Sequence, residues 1–225
     1  SYQPGAEAAA WIATGEDTYR LESADREKRG TEVRITLKED AKEFLEESRI
    51  RQVIKRHSDF IHYPIYFGDS EEPINQQRAL WRQNPREIEE EAYQEFYKQL
   101  TLDFSDPLTH AHMVVDAPAQ MFALLFVPQD PQNLVFSPRK EPGLKLYAHK
   151  VLIQEFCTDL LPQYLNFIQG VVDSEDLPLN VSRESVQSNR VMALLKRLVT
   201  GKALDMLESL GEESPDKYRT FWEVY

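Results

Sequence analysis

Val171-Val-Asp-Ser-Glu-Asp-Leu-Pro-Leu-Asn-Val-Ser-Arg183-Glu-Ser-Val-Gln187 passes from one kind of structure to another within a few residues. It opens with an apolar pair and runs into small and acidic residues, as a strand does when it leaves a core for a loop, here expected over 171–179. Pro178 disfavours helix immediately before it, whereas Asn180 or Ser182 can accept a hydrogen bond from a free N–H of a following helix. A long helix is therefore predicted from Ser182 to beyond Leu207. Arg183 falls in its first turn, where the positive end of the helix dipole opposes a cation at a cost of about 0.3–1 kcal/mol. A solvated surface arginine tolerates that cost. The other reading is an anion site, in which guanidinium, dipole and free amides converge on a phosphate whose charge grows during transfer. Gln187 lies one turn further along the same face and offers a neutral donor.

Working back from this stretch, 160–170 reads as a helix. Ala119–Val127 and Leu144–Ile153 are the strongest strand candidates, joined by a proline-rich loop over 128–143. Within that loop Leu134, Val135 and Phe136 form an apolar run flanked by polar residues, either projecting into solvent as a binder of unfolded chains would require or tucked in as a local cluster. Asn84-Pro85 caps and opens a helix that is expected to continue through Tyr93, Phe96 and Tyr97. Further upstream, Tyr63–Phe67 reads as a strand, Gly68–Pro73 as a linker or hairpin tip, and 40–58 as an amphipathic helix. The first residues alternate apolar and polar over 10–13, 19–21 and 33–37, the pattern of an antiparallel meander. Strands and helices in this order predict an α+β, layered chain.

A length of 225 residues permits one large domain or two small ones. A formal net charge of −12 argues against nucleic acid as a partner, because binding to phosphate backbones rests on lysine and arginine displacing counterions. The single cysteine, Cys157, excludes an intrachain disulfide and reads as a small core residue. No apolar run is long enough to span a membrane and no secretory pattern opens the chain, so a cytoplasmic protein is expected. His110 and His112 share one face if their stretch is a strand, but a two-residue spacing without cysteine is a weak metal signal, and no metal site is assigned. The acidic runs at 46–47, 89–91 and 212–213 are solvated faces.

The motif at 171–184, together with Gln187, resembles the middle-domain signature of the heat-shock-protein-90 family of molecular chaperones, in its bacterial form. Supporting stretches run through the chain: Arg29-Gly-Thr31, Leu37-Lys-Glu-Asp, Arg49-Ile50, Ser58-Asp-Phe-Ile61, Tyr63-Pro-Ile65, Ala79-Leu-Trp81, Phe96-Tyr-Lys98, Asp106-Pro-Leu108, Leu144-Lys-Leu-Tyr147 and 218–222. The resemblance implies that 1–61 is the end of a split-type ATPase α/β sandwich, antiparallel strands plus a helix. It implies that 62–225 is an α/β/α layered middle domain with a C-terminal helical segment, truncated. A start at Ser1 without methionine fits a portion of a longer protein.

By the same resemblance, Arg183 reaches the terminal phosphate of ATP when domains close, Gln187 is its polar neighbour, and Thr31 matches a threonine at the base of the adenine site, with an ordinary strand threonine as the alternative. Trp81 resembles a tryptophan associated with client and co-chaperone contacts, with a buried anchor as the alternative, and Leu134–Phe136 resembles a protruding amphipathic loop. The family's catalytic glutamate, metal-holding asparagine and glycine-rich lid have no counterpart here. The implied ligands of the complete protein are ATP and Mg2+, its partners are partly folded clients and co-chaperones, and it is a homodimer. This chain alone is expected to hydrolyse ATP negligibly. Two other functions compete. One is a non-catalytic docking module for clients or co-chaperones; the other is a DNA-transaction ATPase of the same nucleotide-site type, disfavoured by Arg183 where a lysine is usual and by the acidic charge.

Overall fold

The computed structural model describes residues 1–15, 18–130, 143–177 and 190–225. By compactness the chain divides into Ser1–Glu47 and Ser48–Tyr225. The first unit holds two antiparallel strands, β1 (Ala9–Ala13) and β2 (Tyr19–Ser23), in register from Ala9 opposite Ser23 to Ala13 opposite Tyr19. The third strand expected over 33–37 is not formed: Val33 and Ile35 are exposed, and alternation without a hydrogen-bonding partner does not make a strand. The single helix expected over 40–58 is a 3-10 segment, Glu39–Leu45, followed after an extended Glu46 by α1 (Glu47–His57). Phe44 and Leu45 stay exposed, so no burial favours a continuous helix there.

The second unit is built on a five-stranded sheet. Its strands are β3 (Thr109–Val115), β4 (Met121–Val127), β5 (Leu144–Ala148), β6 (Val151–Cys157) and β7 (Gln169–Ser174), in spatial order β3-β4-β7-β5-β6. All neighbours are antiparallel except β5 and β7. Both faces are covered. On one side α3 (Arg190–Glu213) buries Met192, Leu195, Val199, Ala203, Met206 and Leu210, a stripe at three-to-four spacing, and α4 (Pro215–Val224) adds Phe221. These pack on Met121, Ala123, Leu125 and Val127 of β4. On the other side α2 (Glu90–Thr101) and a 3-10 turn at Leu80–Arg82 bring Tyr93, Tyr97 and Trp81 onto Leu124 and Phe126. Each large apolar side chain so buried contributes about 1.5–3 kcal/mol. Alternate residues of β4 thus serve two cores, which is why its sequence is a continuous apolar run.

Five sequence readings change or are decided here. The strand expected at Tyr63–Phe67 is absent because buried Asn75 takes its backbone groups: Ile65 N donates to Asn75 Oδ1 (2.8 Å), and Asn75 Nδ2 donates to the carbonyls of Tyr63 (3.0 Å) and Ile61 (3.4 Å). Ile74 N donates to Ile65 O at 2.8 Å, so Gly68–Pro73 is the tip of a closed loop and not a linker. Asn84 does cap, accepting from Arg86 N at 3.2 Å, but only the 3-10 turn Pro85–Glu87. Extended Ile88 and Glu89 separate it from α2. The run 144–153 is two strands, since His149 and Lys150 adopt φ of 50° and 66° and close a two-residue hairpin. The helix expected over 160–170 is replaced by 3-10 turns at Thr158–Leu160 and Gln163–Leu165, separated by Pro162, and then by β7. Cys157 lies in the core, where burial pushes its thiol up to about 11.

Candidate functional site

The residues that lead into the 178–189 stretch belong to β7, which is buried along its whole length between β4 and β5. Its position there depends on Gly170 (φ 154°), where a Cβ would fall 2.2 Å from the Leu124 carbonyl oxygen. Asp173, next to the end of the strand, is wholly buried. A carboxylate in such a place needs donors, and three converge on it: Trp81 Nε1 at 2.9 Å, Arg82 Nε at 2.6 Å and Lys150 N at 3.2 Å. Arg82 also pairs through Nη1 with Glu175, and its guanidinium lies 4.5 Å from the centre of the Phe122 ring. Burial by itself lowers the pKa of Arg82. The hydrogen bond and charge of Asp173, and then those of Glu175, outweigh burial and raise it, so the guanidinium is firmly charged.

On its other edge the strand end is tied to the residue before β4. Ser174 Oγ donates to Gln120 O at 2.8 Å, Gln120 N donates to Asp176 Oδ2 at 2.7 Å, and Glu175 N donates to Gln120 O at 3.3 Å. Leu177 is buried immediately afterwards, and the chain is next described at Arg190, from which α3 runs into the core. Residues 178–189 are therefore flanked by a hydrogen-bonded strand end on one side and by a helix packed into the core on the other.

Trp81 occupies the anchoring position of the two that its sequence setting allowed. It is fully buried, with ring centres of Phe60, Tyr147 and Phe96 at 4.6, 5.0 and 5.7 Å. A ring without exposed surface offers nothing to a client, so the client-contact expectation for Trp81 does not hold. Its carbonyl receives His112 Nε2 at 2.9 Å, and His112 Nδ1 lies 2.9 Å from Tyr93 Oη. Because a carbonyl only accepts, Nε2 carries the proton and Nδ1 accepts from the tyrosine hydroxyl. Burial, first, and nearby His110 keep the pKa of His112 low against the opposing pull of the Trp81 carbonyl. His110 stacks on Tyr93 at 4.1 Å; burial lowers its pKa too, opposed by Glu90 and assisted by Lys217. Both imidazoles of the 110–112 pair are thus committed to packing.

Arg183, Gln187, Leu134, Val135 and Phe136 lie outside the described residues. Thr31 is exposed in the first unit, where its hydroxyl donates to Ser1 Oγ at 3.2 Å. What sequence reading missed is the cluster of Asp173, Arg82, Glu175 and Trp81. Its signal was present in the carboxylate inside an otherwise apolar strand, Val171-Val-Asp173, which demands a buried cation, and in the adjacency of Trp81 and Arg82.

Comparison with known proteins places the chain. The family model described as Hsp90 protein matches residues 67–225. Among curated relatives, the chaperone protein HtpG of Chlorobium phaeovibrioides is 45% identical over 228 residues, and that of Chlorobaculum tepidum 42% over 228. The HtpG of Desulfitobacterium hafniense is 40% identical over 225 residues. In all three the match takes in 100% of this chain but 36% of the relative. No helix among the described residues is long and apolar enough to cross a membrane.

Proposed function

Because this chain belongs to the Hsp90 family, we propose that it is the portion of an ATP-dependent chaperone that supplies an arginine to a nucleotide held by another domain. In this reading 1–61 is the end of the split-type ATPase domain and 62–225 is most of the middle domain. Arg183 meets the terminal phosphate and matches the charge that develops on it during transfer, with Gln187 as a neutral donor one turn on. Thr31 belongs to the base of the adenine site. ATP and Mg2+ are ligands of the whole protein, which works as a cytoplasmic homodimer on partly folded clients, with or without co-chaperones. Leu134, Val135 and Phe136 remain the candidate client-contacting surface, and Trp81 is no longer part of it.

The observation that supports this reading best is the fixation of the β7 end. A group that must meet a transferring phosphate gains most from a support that does not rearrange when the phosphate arrives. Asp173, with its three donors, and Asp176, bound to Gln120 N, give the stretch such a support at one end, and α3 gives it another.

The test is made in the full-length protein. Arg183→Ala is expected to lower turnover by about tenfold or more while leaving nucleotide affinity near its original value, because the contact forms in the reactive state. Parallel loss of affinity and turnover would sink the assignment. The isolated chain is expected to hydrolyse ATP at a negligible rate, and robust turnover abolished by Arg183→Ala would contradict that.

A further inference from the structure

One cleft of the second unit collects cations although the chain carries a net charge of −12. It measures about 390 Å³ and is lined by Arg78, Arg82, Lys150 and His62 together with the amides of Gln77 and Gln83. That volume falls within the usual range for small-ligand sites. No carboxylate is among its lining residues. Asp173 and Glu175 lie against Arg82, so three fixed cations face two carboxylates and leave one positive charge in excess. Arg78 and Lys150 have no ion-pair partner among the described residues.

Two further observations show how the wall of the cleft is held. Arg82 directs Nε to Asp173 and Nη1 to Glu175, which leaves Nη2 buried and without a hydrogen-bond partner among the described residues. Nη2 has no surface of its own open to the cleft, so the guanidinium acts on the cleft through its charge. Gln77 and Lys150 are also two of only four non-glycine residues with positive φ among those described, at 61° and 66°. Each is held there by its own backbone N–H, Gln77 donating to Asp59 O (2.9 Å) and Lys150 to Asp173 Oδ1 (3.2 Å). Lys150 closes the β5–β6 hairpin, and Gln77 is the centre of a tight turn in which Arg78 N donates to Gln76 O (2.7 Å), so both conformations belong to turns that fix the wall of the cleft.

We propose that this cleft binds a small, multiply charged oxyanion, with Arg78, Lys150 and the fixed charge of Arg82 attracting it and the side chains of Gln77 and Gln83 supplying donors. The chemistry suits either a phosphate group or a cluster of carboxylates, and it does not depend on the role of Arg183.

Calorimetric titration of the chain with sodium pyrophosphate, and separately with sodium citrate, at one ionic strength held with KCl, tests the proposal. At least one anion is expected to bind saturably at one site. The Arg78→Gln/Lys150→Gln double variant should bind it at least tenfold more weakly, and Gln83→Glu, which places a carboxylate in the cleft without removing a cation, should weaken it as well. Tighter binding of pyrophosphate identifies a phosphate source; tighter binding of citrate identifies carboxylates. The proposal is overturned if neither anion binds saturably. It is equally overturned if variants that keep the urea midpoint of the parent bind as tightly as the parent does.

Discussion

Arg82→Met isolates what the cation contributes at the end of β7. The substitution keeps a flexible apolar stem against Phe122 and removes only the guanidinium. Asp173 then keeps two donors, Trp81 Nε1 and Lys150 N, but stands as an uncompensated charge with no exposure to water. Removing one partner of a buried pair costs about 3–5 kcal/mol. The two retained donors place this variant near the lower bound, about 3 kcal/mol. Loss of the Glu175 contact adds little, because that carboxylate is 37% exposed and can turn to solvent. For a unit of this size about 3 kcal/mol corresponds to a fall of roughly 6–12 °C in Tm. Urea unfolding followed by the emission of buried Trp81 gives the free energy directly. In the Arg82→Met background, Asp173→Asn should recover part of the loss, since it discharges the stranded group while leaving an acceptor for Trp81. A loss below about 1 kcal/mol with unchanged denaturant slope, and no recovery by Asp173→Asn, would show that the pair is solvated and that the reasoning is wrong.

Three other outcomes follow from the packing. Gly170→Ala drives a methyl group into the Leu124 carbonyl and should destabilise the sheet by more than about 2 kcal/mol, which urea unfolding will report; an unchanged midpoint would refute the close approach of β4 and β7. His112 has a folded pKa below its unfolded value, so its contribution is intact above about pH 6.5 and is lost as pH falls from there through the folded value, where the unfolded chain binds the proton first. Urea midpoints measured between pH 8 and 5 should therefore fall more steeply for the parent than for His112→Gln, and parallel curves would remove His112 as a cause. Cys157, with its thiol raised to about 11, should react with a thiol reagent at pH 8 only as fast as the second unit opens, so that labelling accelerates with urea; rapid stoichiometric labelling of the native chain would contradict its burial.

The strong periodic signals in the sequence were the legible ones. The long helix predicted to run past Leu207 is present over Arg190–Glu213, its predicted start at Ser182 lying outside the described residues, and the apolar run 119–127 gave the buried strand β4. Elements held by a partner distant in sequence were not legible. Residues 63–67 carry a strand composition, yet their backbone groups are satisfied by the side chain of Asn75, and nothing local announces that exchange. The turn at His149-Lys150 lacks the glycine or asparagine that usually marks such a hairpin, so two strands read as one. At the candidate site Arg183 stood out through a local conflict with the helix dipole. Asp173, Arg82 and Trp81 needed the fold to bring residues some ninety positions apart into hydrogen-bonding distance.

The strand order also carries a consequence for how the second unit comes to be built. β3 with β4 and β5 with β6 are hairpins that close locally, whereas β7, last in the chain, enters between them. Until residue 174 has emerged during synthesis, β4 and β5 each present an open, strongly apolar edge, the kind on which chains aggregate. Insertion of β7 joins the two hairpins and closes both edges in one step. Delayed synthesis or slippage at β7 would therefore leave both hairpin edges open, tying the solubility of the nascent chain to the last of these five strands to be made.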